Sequence, residues 1–247
     1  MSKIGYGYGS EWHLLRYLGY HRQYLNDRIH DILDSDDIEW LDFDFSSKGG
    51  HLNDDKELEG VGFVGNSYTL SKWKDFWPTS GRQPSWDAVG KVKFTETSGE
   101  EEWLLVEAKA HVGEEVSKIG ATGKSRLKIR NALLKTMKSL GVHKDYLSVW
   151  LNKYYQYANR LAVLHYLNEI MSPPDSVHLI NIFFYGEKHR GWYCPVTADI
   201  WESYIEDIHY DMGLQSIREI GGLNRVHELY LPVNPNVKSK WDLLDME

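Results

Sequence analysis

Residues 84–111 decide the fold: they read PSWDAVGKVKF over 84–94, TETSGE over 95–100 and EEWLLVEAKAH over 101–111. Between residues 86 and 94 every second residue is apolar, and this period of two predicts a strand. The side chains predicted to share one face of it are those of Trp86, Ala88, Gly90, Val92 and Phe94. Four consecutive apolar residues at 103–106 predict an interior strand, covered on both faces. The short polar break contains a glycine and predicts a hairpin between the two strands.

The register of this hairpin predicts a metal site. A symmetric hairpin places Lys93 opposite Glu101, a favourable pair of charges, and Asp87 opposite Glu107. Opposed Cβ atoms lie about 4.5–5.5 Å apart, so two carboxylates in this position repel each other unless a cation lies between them. Lys109 projects on the same side as Glu107, because side chains two apart on a strand share a face. The arrangement is suited to a hard divalent cation.

The same residues resemble the signature of the PD-(D/E)XK nuclease superfamily, which has the restriction-endonuclease-like fold. The matching residues are Asp87 and, on the following strand, Glu107-Ala108-Lys109, although Pro84 precedes the aspartate by three positions instead of one. The resemblance implies an α/β fold with an αβββαβ core, a central mixed sheet flanked by helices. It also implies that Asp87, Glu107 and Lys109 are catalytic. The implied cofactor is Mg²⁺ or Mn²⁺, held by Asp87, Glu107 and the carbonyl of Ala108.

Two further residues are candidates through the same resemblance. Many superfamily members are similar in having an acidic residue on the first helix that reaches the metal, which makes Glu11 the third acidic candidate. The alternative for Glu11 is a favourable position at a helix N-terminus, where the helix dipole stabilises a carboxylate. Several branches are similar in having a glutamine on the helix after the E-x-K strand, and Gln156, which shares a face with Arg160, joins the catalytic set. The alternative for Gln156 is an exposed side chain.

Charge is distributed unevenly along the chain. The net charge of −8 argues against a nucleic-acid partner, yet the basic segment 116–144 has no acidic residue and eight lysines or arginines. Such a basic segment predicts binding to the phosphates of nucleic acid, most readily DNA. The predicted contacts are Lys118, Lys124, Arg126, Lys128 and Arg130. A solvated basic helix face is the alternative.

The bulk composition predicts one domain over residues 1–247. A chain of 247 residues with 42% hydrophobic residues can bury a full core. Its single cysteine, Cys194, excludes an intramolecular disulfide and fits a reducing compartment. The sequence shows neither a signal peptide nor an apolar run that could cross a bilayer. We therefore expect a cytoplasmic protein without a membrane partner. Many nucleases of the restriction-endonuclease-like fold act as dimers, so a homodimer is among the expectations.

Hydrophobic periodicity predicts the remaining elements. The predicted helices cover 11–33, 126–140, 145–171 and 197–213, and the predicted strands cover 40–46, 59–64, 177–185 and 226–231. Ser10 is the expected N-cap of the first helix, and Gly141 is expected to end the second. Segments 34–39 and 73–84 are expected to be an acidic connector and an irregular lead-in to the hairpin.

Missing motifs exclude several other activities. Residues 120–125, GATGKS, do not complete a P-loop because Lys118 stands where the first glycine is needed. The histidines have no zinc-binding spacing, and there is no G-x-S-x-G nucleophile motif. The sequence therefore predicts a metal-dependent nuclease that hydrolyses phosphodiester bonds of DNA, or less readily of RNA. The alternatives are an inactive nuclease-fold protein that binds nucleic acid or a protein partner, and a structural α/β domain whose basic segment docks an acidic protein.

Overall fold

A computed structural model gives the fold and describes residues 7–41, 58–94, 100–170, 176–215 and 223–235. The α-helices are α1 (Ser10–Gly19), α2 (Arg22–Leu33), α3 (Ser67–Phe76), α4 (Gly123–Leu140), α5 (Leu147–Asn152), α6 (Tyr155–Ile170) and α7 (Ala198–Met212). The strands are β1 (Asp37–Trp40), β2 (Leu58–Glu59), β3 (Ser85–Trp86), β4 (Ala88–Phe94), β5 (Glu100–Lys109), β6 (Val177–Tyr185) and β7 (Val226–Pro232). Among the described residues, no helix combines the length and the apolar character needed to cross a membrane.

The central sheet is mixed and, within the described ranges, has five strands in the order β1-β4-β5-β6-β7. β1, β4 and β5 pair antiparallel, whereas β6 runs parallel to both β5 and β7. Parallel neighbours need a crossover connection, and the helices between β5 and β6 and between β6 and β7 provide it. β2 and β3 form a separate two-stranded sheet. The prediction of an α/β fold with a mixed sheet flanked by helices is confirmed.

The central hairpin has the predicted register. Lys93 lies opposite Glu101 and Ala88 lies opposite Val106. The ladder ends at this second pair, so the predicted pair of Asp87 with Glu107 is not part of it. Asp87 lies in the break before β4, and its N–H donates to the carbonyl of Val106 at 3.0 Å. The turn itself, residues 95–99, lies outside the described residues.

Helices cover both faces of the sheet, and each face has its own core. On the face covered by α1 and α2, the buried sheet residues include Ala88, Val92, Leu104, Val106, Ile180, Ile182 and Phe184. On the face covered by α3 to α7 they include Val89, Trp103, Leu105, Val177, Leu179 and Phe183. The two sets alternate along each strand, as expected for interior strands with apolar residues on both faces. Along β5, Glu107 and Lys109 therefore continue the face of Leu105, which is the face covered by α6.

Trp86 does not lie on the predicted face. It was expected to lie with Ala88, but it packs with Val89 in the core under α3 to α7. The strand is interrupted at Asp87, between β3 and β4, so the period of two does not continue across that residue.

Two predicted helices are each divided in two. The helix predicted over 11–33 is broken at Tyr20 and His21, where the His21 N–H donates to the carbonyl of Arg16 at 3.1 Å. The helix predicted over 145–171 consists of a 3₁₀ turn (Lys144–Tyr146), α5 and α6. It is broken at Lys153 and Tyr154 because the carbonyl of Lys153 accepts a hydrogen bond from a distant loop residue, the Ser117 N–H, at 2.8 Å.

The early strands also differ from the predictions. The expected connector over 34–39 contains most of β1, and of the strand predicted over 40–46 the structure describes only 40–41. The strand predicted over 59–64 is replaced by β2 and a 3₁₀ turn (Gly62–Val64). The segment 73–84, expected to be irregular, begins inside α3. The N-cap of α3 is Asn66, whose side chain accepts the Tyr68 N–H at 2.9 Å. The predicted elements at 126–140, 177–185, 197–213 and 226–231 are confirmed, with ends shifted by up to three residues.

Core packing gives a first prediction. Leu104 is fully buried between the sheet and α1, whereas Leu127 on α4 is 57% exposed. Leu104→Ala should lower the free energy of unfolding by about 2–5 kcal/mol, because it removes buried methyl groups and leaves a cavity. Leu127→Ala, the matched control, should change it by less than about 0.5 kcal/mol. Urea denaturation measures both, and equal losses would contradict the position assigned to Leu104.

Candidate active site

Asp87, Glu107 and Lys109 are neighbours at the end of β5. Asp87 occupies the single-residue break between β3 and β4. Its Oδ2 accepts the backbone N–H of Ala108 at 2.7 Å, which fixes the side chain across β5. Burial and, second to it, the charge of Glu107 raise the pKa of Asp87 to about 7. The structure thus brings the three predicted residues together.

Both carboxylate oxygens of Glu107 accept hydrogen bonds. Oε1 accepts from Lys109 Nζ and, at 2.6 Å, from Gln156 Nε2. Oε2 accepts from Nε and Nη2 of Arg160 at 2.7 and 2.6 Å. Glu107 is only 4% exposed, and burial alone would favour its neutral form, but Arg160 and Lys109 outweigh that effect and lower its pKa. Glu107 is therefore a buried, charged group.

Lys109 is the buried cation on the same strand. It is 5% exposed, and its ammonium also donates to the carbonyl of Ala108 at 3.3 Å. Burial alone would lower the pKa of Lys109, but the charges of Glu107 and Asp87 outweigh it and raise the pKa above its usual value. Lys109 consequently stays protonated at neutral pH and can stabilise negative charge, but it cannot accept a proton.

Glu115, which the sequence analysis did not single out, completes the group. It is 3% exposed, in the turn that follows β5. Burial and, to a lesser degree, the charges of Glu107 and Glu114 raise its pKa to about 7, against the attraction of Lys109. We call Asp87, Glu107, Lys109, Glu115 and Arg160 the acidic cluster. Fully ionised, it has three negative and two positive charges.

The loop after β5 determines where α6 begins. The Tyr155 N–H donates to the carbonyl of Ser117 at 3.2 Å, and the Gln156 N–H donates to Ser117 Oγ at 2.8 Å. Gln156 and Arg160 are one helical turn apart, so both reach Glu107 from the same face of α6. The guanidinium carbon of Arg160 also lies 4.9 Å from the centre of the Trp86 ring. These contacts fix the donors before any ligand arrives.

Glu11 lies in a different environment from the one predicted. It is in the first turn of α1 and lines a hollow of about 340 Å³ together with His111 and Glu114. Within the described ranges no three His, Cys, Asp or Glu side chains are grouped so that they could hold a metal ion. Glu11 therefore does not complete a three-acid group with Asp87 and Glu107.

Ser10 does not act as the predicted N-cap. It is the first residue of α1, and its hydroxyl donates to Glu114 Oε1 at 2.8 Å. The other oxygen of Glu114 accepts the N–H groups of Ala110 and His111 at 2.6 and 3.2 Å. Glu114 therefore ends β5 and joins it to the start of α1.

A cleft of about 690 Å³ opens beside the acidic cluster. Gln156 and Arg160 line it, so the donors to Glu107 form part of its wall. Its other charged lining residues are Arg82 and Lys118, and no acidic residue of the described chain lines it. In a protein with a net charge of −8, the cleft is thus a region whose charged lining residues are all positive among those that the structure describes.

The basic segment 116–144 contributes less to this cleft than the sequence suggested. Of its five predicted contacts, only Lys118 lines the cleft. Lys124, Arg126 and Arg130 are exposed on α4, while Lys128 donates to the carbonyl of Lys74. Residues two apart on a helix point in nearly opposite directions, so these side chains are distributed around α4 and do not form one stripe.

Sequence reasoning missed three residues of this site: Arg82, Glu115 and Arg160. The only available signal was the four-residue spacing of Gln156 and Arg160, which places them on one helix face.

Comparison with protein-family models, curated proteins and solved structures finds no match for this chain. The chemistry of the site must therefore be inferred from its own side chains.

The ion pair of Arg160 with Glu107 gives the next prediction. Arg160→Leu leaves a buried carboxylate without its main partner and should lower the free energy of unfolding by about 3–5 kcal/mol. Glu107→Gln in the same background should recover part of this loss, because a neutral amide needs no cation. Arg28→Leu breaks an exposed pair with Asp31 (3.1 Å) and is the control, with an expected loss below about 1 kcal/mol. Denaturation at pH 7 measures all three, and similar losses for the two arginines would contradict a buried ion pair.

Proposed function

We propose that this protein is a metal-dependent nuclease of the PD-(D/E)XK type that hydrolyses phosphodiester bonds of DNA. The observation that carries the proposal is the meeting of Asp87, Glu107 and Lys109 beside a cleft whose charged lining residues, in the part of the chain that the structure describes, are all positive. The order of elements in the central sheet supports it: α1 and α2 precede β1, β4 and β5, and further helices lead to the parallel strand β6, as in an αβββαβ core. The elements β2, α3 and β3 are inserted between β1 and β4.

Asp87 and Glu107 supply the oxygen donors of the acidic cluster that suit a divalent cation. Burial together with the charge of Glu107 raises the pKa of Asp87 to about 7, which a bound cation would offset. Asp87, Glu107 and the carbonyl of Ala108 would hold the ion, and such oxygen donors suit Mg²⁺ or Mn²⁺. When bound, the ion supplies Lewis acidity, which lowers the pKa of water and offsets negative charge on the scissile phosphate.

The side chains of the chain have separate tasks in this reaction. In hydrolysis a water oxygen bonds to phosphorus, the bond from phosphorus to the leaving sugar oxygen breaks, and that oxygen takes up a proton. Lys109, which stays protonated, stabilises the negative charge that develops on the phosphate. Arg160 lines the cleft and can donate to a phosphate oxygen through its planar guanidinium. Gln156 is a positioning residue that orients Glu107.

A second candidate is a protein of the same type that binds nucleic acid without cutting it. The observation that favours it is the full engagement of Glu107, whose oxygens accept from Lys109, Gln156 and Arg160. A cation must displace at least one of these donors before it can bind to Glu107. If the ion pair with Arg160 is too stable for that, the cleft still binds anions but no hydrolysis follows.

Cleavage assays test the proposed function. Asp87→Asn, Glu107→Gln and Lys109→Met preserve size and should each slow Mg²⁺-dependent cleavage of labelled DNA by at least about a hundredfold. Glu101→Gln and Lys91→Met alter an ion pair (3.0 Å) farther along the same hairpin and should retain the wild-type rate. Circular dichroism verifies that each variant is folded. Wild-type cutting by any of the first three removes that residue from the mechanism.

Metal binding should depend on pH. Because the pKa of Asp87 is raised to about 7, its carboxyl is mostly protonated at pH values below that and mostly ionised above. The cation needs the ionised form, so affinity should rise between about pH 6 and pH 8 and binding should release protons. Calorimetry with Mg²⁺ or Mn²⁺ in two buffers of different protonation enthalpy measures this, with Glu101→Gln as control and Asp87→Asn as the variant that loses the effect. DNA binding without metal binding would favour the second candidate.

A further inference from the structure

The cleft has the chemistry of a site for a polyanionic strand. Arg82 and Lys118 are exposed, whereas Arg160 is 3% exposed and bonded to Glu107, so positive charge extends from the exposed surface to the acidic cluster. The rest of the lining combines uncharged hydrogen-bonding side chains, among them Ser80, Thr122 and Ser125, with apolar ones, among them Trp77 and Ile129. Thr122 and Ser125 flank the first residues of α4, and a helix N-terminus favours negative charge.

The depth of the reacting groups distinguishes between forms of DNA. Arg160, in the wall of the cleft, is 3% exposed, and Glu107, to which it is bonded, is 4% exposed and does not line the cleft itself. A duplex is stiff over about 150 base pairs and carries its phosphates on its outer surface, so it can contact only groups near the protein surface. An unpaired strand is narrower and flexible, and it can enter a cleft whose wall contains buried groups.

The size of the cleft supports the same distinction. A volume of about 690 Å³ is that of a small-molecule site, large enough for roughly one or two nucleotides. The major groove of a duplex alone is about 12 Å wide, so a whole duplex exceeds the cleft. Tyr155, half-buried among the lining residues, offers an aromatic surface of the kind on which unpaired bases stack.

We infer that the cleft binds an unpaired DNA strand, with Arg82 and Lys118 on its phosphates and the scissile phosphate at Arg160. This inference specifies the substrate of the proposed nuclease. It rests on the proposed function for the claim that the bound strand is cut. The substrate is then single-stranded DNA or an unpaired end, and the interior of a duplex is excluded. Binding of the strand can be measured without cleavage.

Fluorescence anisotropy in EDTA tests the inference on the full chain. A labelled oligonucleotide is compared as a single strand and as a blunt duplex of the same sequence at one ionic strength. The single strand should bind at least about tenfold more tightly, and Arg82→Ala with Lys118→Ala should weaken its binding about tenfold or more. Both residues are exposed, so the double variant should stay folded. Arg130→Ala with Lys138→Ala removes two exposed positive charges of α4 outside the cleft and should leave the affinity nearly unchanged.

Three results would overturn the inference: a duplex bound as tightly as the single strand, an equal loss of affinity in the control variant, or no binding of either form. The proposed nuclease function fails by a separate result, the absence of cleavage of any DNA form with Mg²⁺ or Mn²⁺. If the protein bound a duplex tightly and cut it in its interior, the proposed nuclease function would stand and the inference of an unpaired substrate would be wrong.

Discussion

One buried charge, the carboxylate of Glu107, organises the site. It is bonded by Lys109 from its own strand and by Gln156 and Arg160 from α6. Burial alone would raise its pKa, and the charges of Arg160 and Lys109 lower it, so the charge depends on the meeting of strand and helix in this geometry. The position of α6 against the end of β5, and with it one wall of the cleft, follows from this requirement.

The same arrangement separates two electrostatic environments within one site. In the acidic cluster, burial and neighbouring carboxylates raise the pKa values of Asp87 and Glu115 to about 7. The cleft is lined by Arg82 and Lys118, without acidic residues from the described ranges. Arg160 belongs to both, because it pairs with Glu107 and also lines the cleft. Phosphoryl chemistry needs both kinds of surface together, which is why this combination favours the nuclease proposal.

The hairpin could be predicted from the sequence because its information is local. The period of two and the charge pair of Lys93 with Glu101 are enough to determine the register of residues 88–94 with 100–106, and this ladder ends beside Asp87 and Glu107. The break before α6 depends on hydrogen bonds from Ser117, which periodicity does not show. The role of Arg160 depends on a partner 53 residues away, and the cleft combines residues from three separate stretches of the chain. Long-range contacts of this kind have no counterpart in a local pattern.

Ser117 connects the two environments. Its hydroxyl accepts the N–H of Gln156, whose amide bonds Glu107, and the next residue along the chain is Lys118 of the cleft. In the proposed complex, a phosphate on Lys118 would therefore be next to a residue that is one hydrogen bond from the helix orienting the carboxylate. Linkage is reciprocal, so if an occupied cleft changes the affinity for the cation, the cation changes the affinity for the strand by the same factor. Substrate and metal would then bind cooperatively, and the hydrogen bond of Ser117 would couple their two sites.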